Sequence, residues 1–204
     1  MTTPFNPLDM SNLAHSILTR MEEKAAQPLQ SIQPFEGGGV YAIYYSGPFP
    51  AYAPLAAANV PTPTVPIYVG KSGASGSRAG TGKTGASKTP SKFKLYQRLQ
   101  KHLRSIEAAT NLDAADFSAR WLVVDEIWVP VGESAVIREH SPLWNSIIPG
   151  FGSNPQGSGR DLGERSRWDT LHPGRANAVV LKDRKETAQH IEQDALNHLN
   201  THLP

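Results

Sequence analysis

Six side chains spread along the 204-residue chain have types suited to handling a phosphate group: Tyr41, Tyr68, Arg98, His102, Glu133 and Asn145, with Lys71 just beyond the second tyrosine. An arginine stays charged at any working pH and grips a non-bridging phosphate oxygen through two N–H groups, which is the use open to Arg98. His102 stands four residues further on, so the two project from neighbouring turns of one helix face. Glu133 is the hard oxygen ligand that falls at a helix start beside the candidate strands. Mg²⁺ characteristically takes one or two such carboxylates and completes its shell with water and phosphate. A phenol ionises near ~10 and is a poor base at neutral pH unless cations favour the phenolate; Lys71, Arg98 and His102 could supply them. Each residue also has a bland use. Glu133 suits a helix N-terminus, Arg98 a solvated helix surface, the tyrosines a buried strand, and Asn145 a turn after Pro142.

The elements that must position these residues are readable from periodicity. Leu13, Ile17, Leu18 and Met21 predict an amphipathic helix over 8–24, capped by Ser11 or Asn12. Residues 40–45, rich in β-branched and aromatic types, predict the first strand, closed by Ser46-Gly47-Pro48. The stretch 46–66 holds six prolines and is expected to form no regular element, before a short strand over 67–70 that pairs with the first. Leu95, Leu99, Leu103 and Ile106 predict a helix over 93–109, its other face carrying Lys94, Arg98, Lys101 and His102. A third strand containing Trp121-Leu122-Val123-Val124 is expected to be buried on both sides. A helix over 132–140 ends before Pro142, with 143–145 extended or in a turn. The last helix is expected from Asp183, with Glu186 in capping-box spacing, burying Ile191, Ala195, Leu199 and Leu203. No internal repeat is present. The elements amount to an α/β (α+β) chain.

Charge is distributed unevenly. Nine of the 20 basic residues and none of the 18 acidic ones fall between Lys71 and Arg104. A loop kept soluble by lysine would ordinarily include some acid, so this run points to a polyanionic partner. Within it, residues 72–90 are dominated by Gly, Ser, Thr and Lys with no apolar residue able to anchor them in a core, which predicts a loop. Gly80-Thr81-Gly82-Lys83-Thr84-Gly85 matches G-x-G-x-x-G but opens no amphipathic helix, and Ser77 stands where a phosphate loop needs glycine, so a nucleotide site is not expected.

In order, Gly39-Val40-Tyr41, Tyr68-Val69-Gly70, Arg98-x-x-x-His102, Glu133 and Pro142-x-x-Asn145 resemble the signature of the GIY-YIG nuclease superfamily. Both triplets are conservative variants of it. The long connection between the motif strands, the Gly/Lys-rich insert after Lys71 and the tail through Gly150-Phe151-Gly152, Trp168-Asp169 and His172-Pro173-Gly174-Arg175 make the chain most similar to the small type II restriction endonucleases. The resemblance implies a single GIY-YIG domain over 1–204, with its core over 37–150. That core is a small three-stranded antiparallel sheet flanked by helices, with an N-terminal helix, long inserted loops and a C-terminal helical extension over 151–204 used for recognition or dimerisation. It implies hydrolysis of DNA phosphodiesters with Mg²⁺ (or Mn²⁺) held by Glu133, 5′-phosphate and 3′-hydroxyl ends, and a homodimer on a palindromic site, CCGCGG being the candidate. It also implies a methyltransferase encoded nearby.

By the same resemblance Tyr41 is the tyrosine that activates the water. His102 either accepts its proton or binds phosphate, Tyr68 positions a phosphate or a metal-bound water, Lys71 supplies charge, and Asn145 orients the site by hydrogen bonding. Sequence readout is expected from Arg160, Arg165, Arg167, His172 and Arg175, whose side chains suit base edges. The loop over 71–94, with Arg78, Lys83, Lys88, Lys92 and Lys94, is expected to wrap the DNA backbone. The rival readings are a repair or homing nuclease and a DNA-binding module without catalysis.

Other chemistries are excluded. The chain has no cysteine, which removes disulfides, a thiol nucleophile and thiolate zinc sites and fits a reducing cytoplasm. No serine stands in G-x-S-x-G. No apolar run approaches the ~18 residues a membrane span needs, so a soluble, cytoplasmic protein is expected. His198 and His202, four apart, find no third ligand in the sequence, and His190 lies two turns away; they read as a helix face.

Overall fold

A computed structural model describes residues 9–73, 92–152 and 163–203. The chain runs α1 (Met10–Glu22), β1 (Gln27–Pro28), β2 (Gly39–Tyr45), α2 (Ala53–Ala58), β3 (Tyr68–Ser72), α3 (Lys94–Glu107), β4 (Phe117–Val123), α4 (Val129–His140) and α5 (Leu143–Ser146). Three further helices follow, α6 (Arg167–Leu171), α7 (Ala176–Val179) and α8 (Ala188–His202). The strands form one antiparallel sheet in the order β1-β4-β2-β3. It therefore has four strands rather than three. The extra one is a two-residue edge, Gln27 and Pro28 against Ala119 and Ser118, too short to leave a periodic signal.

Central strand β2 is buried along its whole length, and its two-residue alternation divides the molecule into layers. Tyr41, Ile43 and Tyr45 face the larger core. Tyr68 joins it from β3, Leu95, Leu99, Leu103 and Ile106 from α3, Trp144 from α5, Trp168 from α6, and Ile191, Ala195 and Leu199 from α8. Val40, Ala42, Tyr44 and Val69 face the other way, against Leu18 and Met21 of α1 and Val129 and Val136 of α4. Residues after 150 are thus part of the main core.

Several expectations are corrected. The proline-rich connection contains α2, because Pro54 lies in its first turn, where a missing N–H costs nothing. Its return to β3 is organised by buried Asn59, which donates to the Tyr45 and Val65 carbonyls and accepts from Thr64 and Val65 N–H. Strand β4 is not buried on both sides: Val123 is 46% exposed where the sheet ends. Asp9, not Ser11 or Asn12, caps α1, and Thr187 caps α8, which starts five residues later than expected. Helix α4 begins at Val129, so Glu133 sits in its second turn rather than at its start. Residues 143–146 are a helical turn. The 80–85 motif lies outside the described residues. Among the described residues no helix is long and apolar enough to cross a membrane.

Candidate active site

Register sets the first part of the site. Tyr41 pairs across β3 with Gly70 and across β4 with Trp121, and α3 lies over the same face. That places the Tyr41 hydroxyl 2.5 Å from His102 Nε2 and 3.4 Å from Arg98 Nε, which donates to it. Arg98 also lies near enough to Tyr68 for its charge to act on that phenol as well as on Tyr41. The rings of Tyr41, Tyr68 and His102 lie 5.1–6.2 Å apart. His102 is therefore not on the solvated face of α3: it is 1% exposed, one position over from Leu103 in a wider apolar stripe. Tyr41 is fully buried, while Tyr68 at 8% is the cluster's tyrosine nearer solvent.

Burial sets the protonation states. It pushes Tyr41 well above the usual tyrosine range, with Tyr68 adding to the effect and Arg98 opposing it. Tyr68 is raised by burial as well, against the pull of Arg98, and the charge of Glu133 contributes. His102 is driven well below the usual histidine range by burial and then by Arg98, Lys101 and Arg175. At neutral pH the cluster is two neutral phenols, a neutral imidazole and one guanidinium.

Glu133 approaches from the opposite layer. From α4 it forms an ion pair of 2.7 Å with Lys71, whose side chain is on the other face of β3 from Tyr68; the two side chains are 22% and 45% exposed. The carboxylate and the tyrosine–arginine cluster thus flank edge strand β3, and the charge of Glu133 adds a little to the upward shift of Tyr68. A divalent ion fits this donor set: one hard carboxylate, open to solvent, already holding a cation in the form of the Lys71 ammonium. Asn145 seals the edge. Its amide accepts from Val69 N–H and donates to Val69 C=O, both at 2.8 Å, as a neighbouring strand would.

The sequence reading missed three residues. A Cβ on Gly70 would lie 2.2 Å from the Tyr41 hydroxyl, and one on Gly152 would lie 2.1 Å from that of Tyr68, so each glycine makes room for a phenol. Gly152 C=O accepts from Arg98 Nη2 at 2.7 Å, and Phe151 stacks on His102 at 4.5 Å. The Gly-x-Gly spacing was the available signal.

The expected DNA contacts divide. Arg78, Lys83, Lys88 and Arg160 lie outside the described residues. Lys92 is exposed at the border of that segment and 4.0 Å from Glu36; Lys94 pairs with Glu126 at 3.4 Å. Of the tail residues, the described structure places four, each with its side chain engaged by the fold, whereas reading a base needs donors left over from it. His172 is fully buried between Tyr52 and Asn111, and burial holds it down at about 3. Arg175 is 6% exposed and bonds Asp169, Gly150 and Phe151 through all three nitrogens. Arg167 binds Glu186, Asp194 and the Ile147 carbonyl. Arg165 bonds Asp183 and the Ala178 carbonyl. Glu186, His190 and Asp194 cluster as a metal site would, but Arg167 bonds both carboxylates and supplies the positive charge. His198 bonds the Ser141 carbonyl and stacks on His202.

A family model described as the Eco29kI GIY-YIG domain matches residues 33–199. No curated protein matches the chain. With four-fifths of its length matched, the chain belongs to the Eco29kI GIY-YIG family, a restriction-endonuclease family, and the sheet and helices described above carry that domain. It is a nuclease domain, and DNA is its binding partner in kind.

Proposed function

We propose that this chain is a type II restriction endonuclease that cuts both strands of DNA at a palindromic, GC-rich site, leaves 5′-phosphate and 3′-hydroxyl ends, and depends on Mg²⁺ or Mn²⁺ held by Glu133. The observation that carries the reading is the convergence of Tyr41, Tyr68, Arg98 and His102 in one cluster, with His102 and Arg98 hydrogen-bonded to Tyr41 and the Tyr68 ring packed against both Tyr41 and His102, beside the strand whose Lys71 holds Glu133. Such a cluster has little use in binding alone.

Hydrolysis needs a proton taken from water and charge neutralised at phosphorus. The line Tyr68–Tyr41–His102 serves the first need without a phenolate in the resting state. The water's proton enters a tyrosine hydroxyl as that hydroxyl's own proton moves on, and the line ends at the neutral imidazole nitrogen His102 Nε2, 2.5 Å from Tyr41. Burial and Arg98 make the imidazolium unstable, so the proton leaves again after the bond breaks. Arg98 supplies a permanent positive charge to the phosphate. When bound at Glu133, the metal ion adds Lewis-acid stabilisation of the same phosphate. Asn145 fixes the β3 edge on which Tyr68 and Lys71 stand.

A palindrome read by two copies brings one such site to each strand, which is the reason for a homodimer. A cell holding this activity needs a methyltransferase of matching specificity, encoded nearby. Lys92 and the 71–94 segment bind backbone, as the uneven charge suggests. The test is digestion of plasmid DNA with Mg²⁺ followed by sequencing of the fragment ends. One repeated palindrome at every end supports the proposal; nicks scattered over unrelated sequences favour a repair or homing nuclease.

A further inference from the structure

The turn at 150–152 touches the site on one side and the C-terminal segment on the other. On the site side, Phe151 stacks on His102 with ring centres 4.5 Å apart and planes 24° from parallel, and meets Tyr68 edge-on at 5.0 Å. The next carbonyl, Gly152 C=O, accepts from Arg98 at 2.7 Å. On the other side, Arg175 donates to the two preceding carbonyls, Gly150 and Phe151, each at 3.0 Å.

Arg175 is itself fixed on every side. Asp169 receives its Nε at 2.6 Å and its Nη2 at 2.7 Å, and Ser166 donates to the same carboxylate at 2.7 Å. Its guanidinium lies 4.5 Å above the Trp168 ring. Gly150 adopts φ +121, and a Cβ there would strike Ser166 Oγ at 2.1 Å, so the turn is matched to this clamp. A planar fork that holds two successive carbonyls sets both the path and the rotation of the backbone between them, which an ammonium cannot do.

We infer that Arg175 is a positioning residue for the Arg98–Tyr41–His102 cluster, acting through the 150–152 turn; the inference rests on the nuclease reading for its catalytic consequence. The C-terminal segment is then a brace for the chemistry as well as part of the core. Arg175 touches none of the reacting groups directly. It determines where Phe151 meets the imidazole and where the Gly152 carbonyl receives Arg98. A displacement on the order of 1 Å at such a point costs about a hundredfold in rate.

The experiment uses the full chain with Arg175→Lys, which keeps the charge and loses the fork. Plasmid cleavage gives kcat and KM, and ¹³C-histidine spectra without DNA report the ring-current shift of His102. The inference predicts a loss of about a hundredfold in kcat, KM for DNA within twofold of wild type, and a His102 resonance moved out of the shielding of Phe151 while exposed His190 stays in place. A folded variant with an unmoved His102 resonance, or with kcat within twofold of an active wild type, overturns it. Should Arg175→Lys not fold, Asp169→Asn, which keeps the arginine and the side-chain volume, takes its place in both measurements. A wild type that cuts no DNA defeats the nuclease reading, and the His102 resonance still decides the positioning.

Discussion

Gly70 stands directly across the strand pair from Tyr41, and there is no room for a methyl group between them: a Cβ would sit 2.2 Å from the phenol oxygen. The hydroxyl that reaches His102 and Arg98 does so over the bare backbone of the neighbouring strand. Gly70→Ala must push the Tyr41 ring away from both. We expect overpacking to cost about 1–3 kcal/mol of stability by denaturant titration, and DNA cleavage to fall by about a hundredfold in the variant that remains folded.

Removing the Tyr41 hydroxyl tests the proton line more selectively. Tyr41→Phe leaves the packing of β2 in place but strips His102 Nε2 of its partner, and Nδ1 of that ring already has no hydrogen bond among the described residues. The expected outcome is a rate loss of about 10²–10⁴-fold in single-turnover cleavage. A stability loss of about 1–3 kcal/mol should accompany it, from the buried nitrogen left bare.

Two buried histidines make stability fall with acid. His102 and His172 are neutral in the folded chain, each held below the ordinary histidine value of 6.5, His172 at about 3. Their unfolded forms take up protons first, so the contribution is whole above about 6.5 and is lost as pH falls below it, for His172 over the span down to about 3. Urea titrations should show stability falling with acid below about 6.5, with a slope of up to about 1.4 kcal/mol per pH unit from His172 in its window. His172→Gln should remove one share of the slope; an unchanged profile would place the acid sensitivity elsewhere.

How much of this was legible in the sequence depended on whether the information was local. A run rich in β-branched and aromatic residues marked β2, the apolar spacing of 95, 99, 103 and 106 marked α3, and five short motifs in order pointed to the family. The burial of Arg175 and His172 was not legible, because an arginine or histidine in a polar tail looks solvated until its partners are known. Those partners, Asp169, Gly150, Tyr52 and Asn111, lie up to 120 residues away. Helix α2 was hidden by prolines that its first turn tolerates, and β1 by its two-residue length. Gly70 and Gly152 were visible as letters, but the hydroxyls they accommodate come from other strands.

The Lys71–Glu133 ion pair implies competition between the ammonium and a metal ion for one carboxylate. Lys71→Met should tighten Mn²⁺ binding measured by electron paramagnetic resonance without DNA, and Glu133→Gln should abolish it. Equal affinity in Lys71→Met and wild type would show that the metal does not use this carboxylate.

Lys92, exposed where the basic segment rejoins α3, is proposed to contact the DNA backbone. Lys92→Ala should weaken binding to cognate and random DNA alike and lower the slope of log K against log salt by about 0.9, the value for one phosphate contact. A loss confined to the cognate site would instead make Lys92 a reader of sequence.

If side chains from both faces of the sheet act on a single DNA linkage, plasmid cleavage in Mg²⁺ by wild type and by Glu133→Gln, with folding verified for both, should give discrete fragments from wild type and intact plasmid from the variant. Equal cleavage by the two proteins, or none by either, would contradict it.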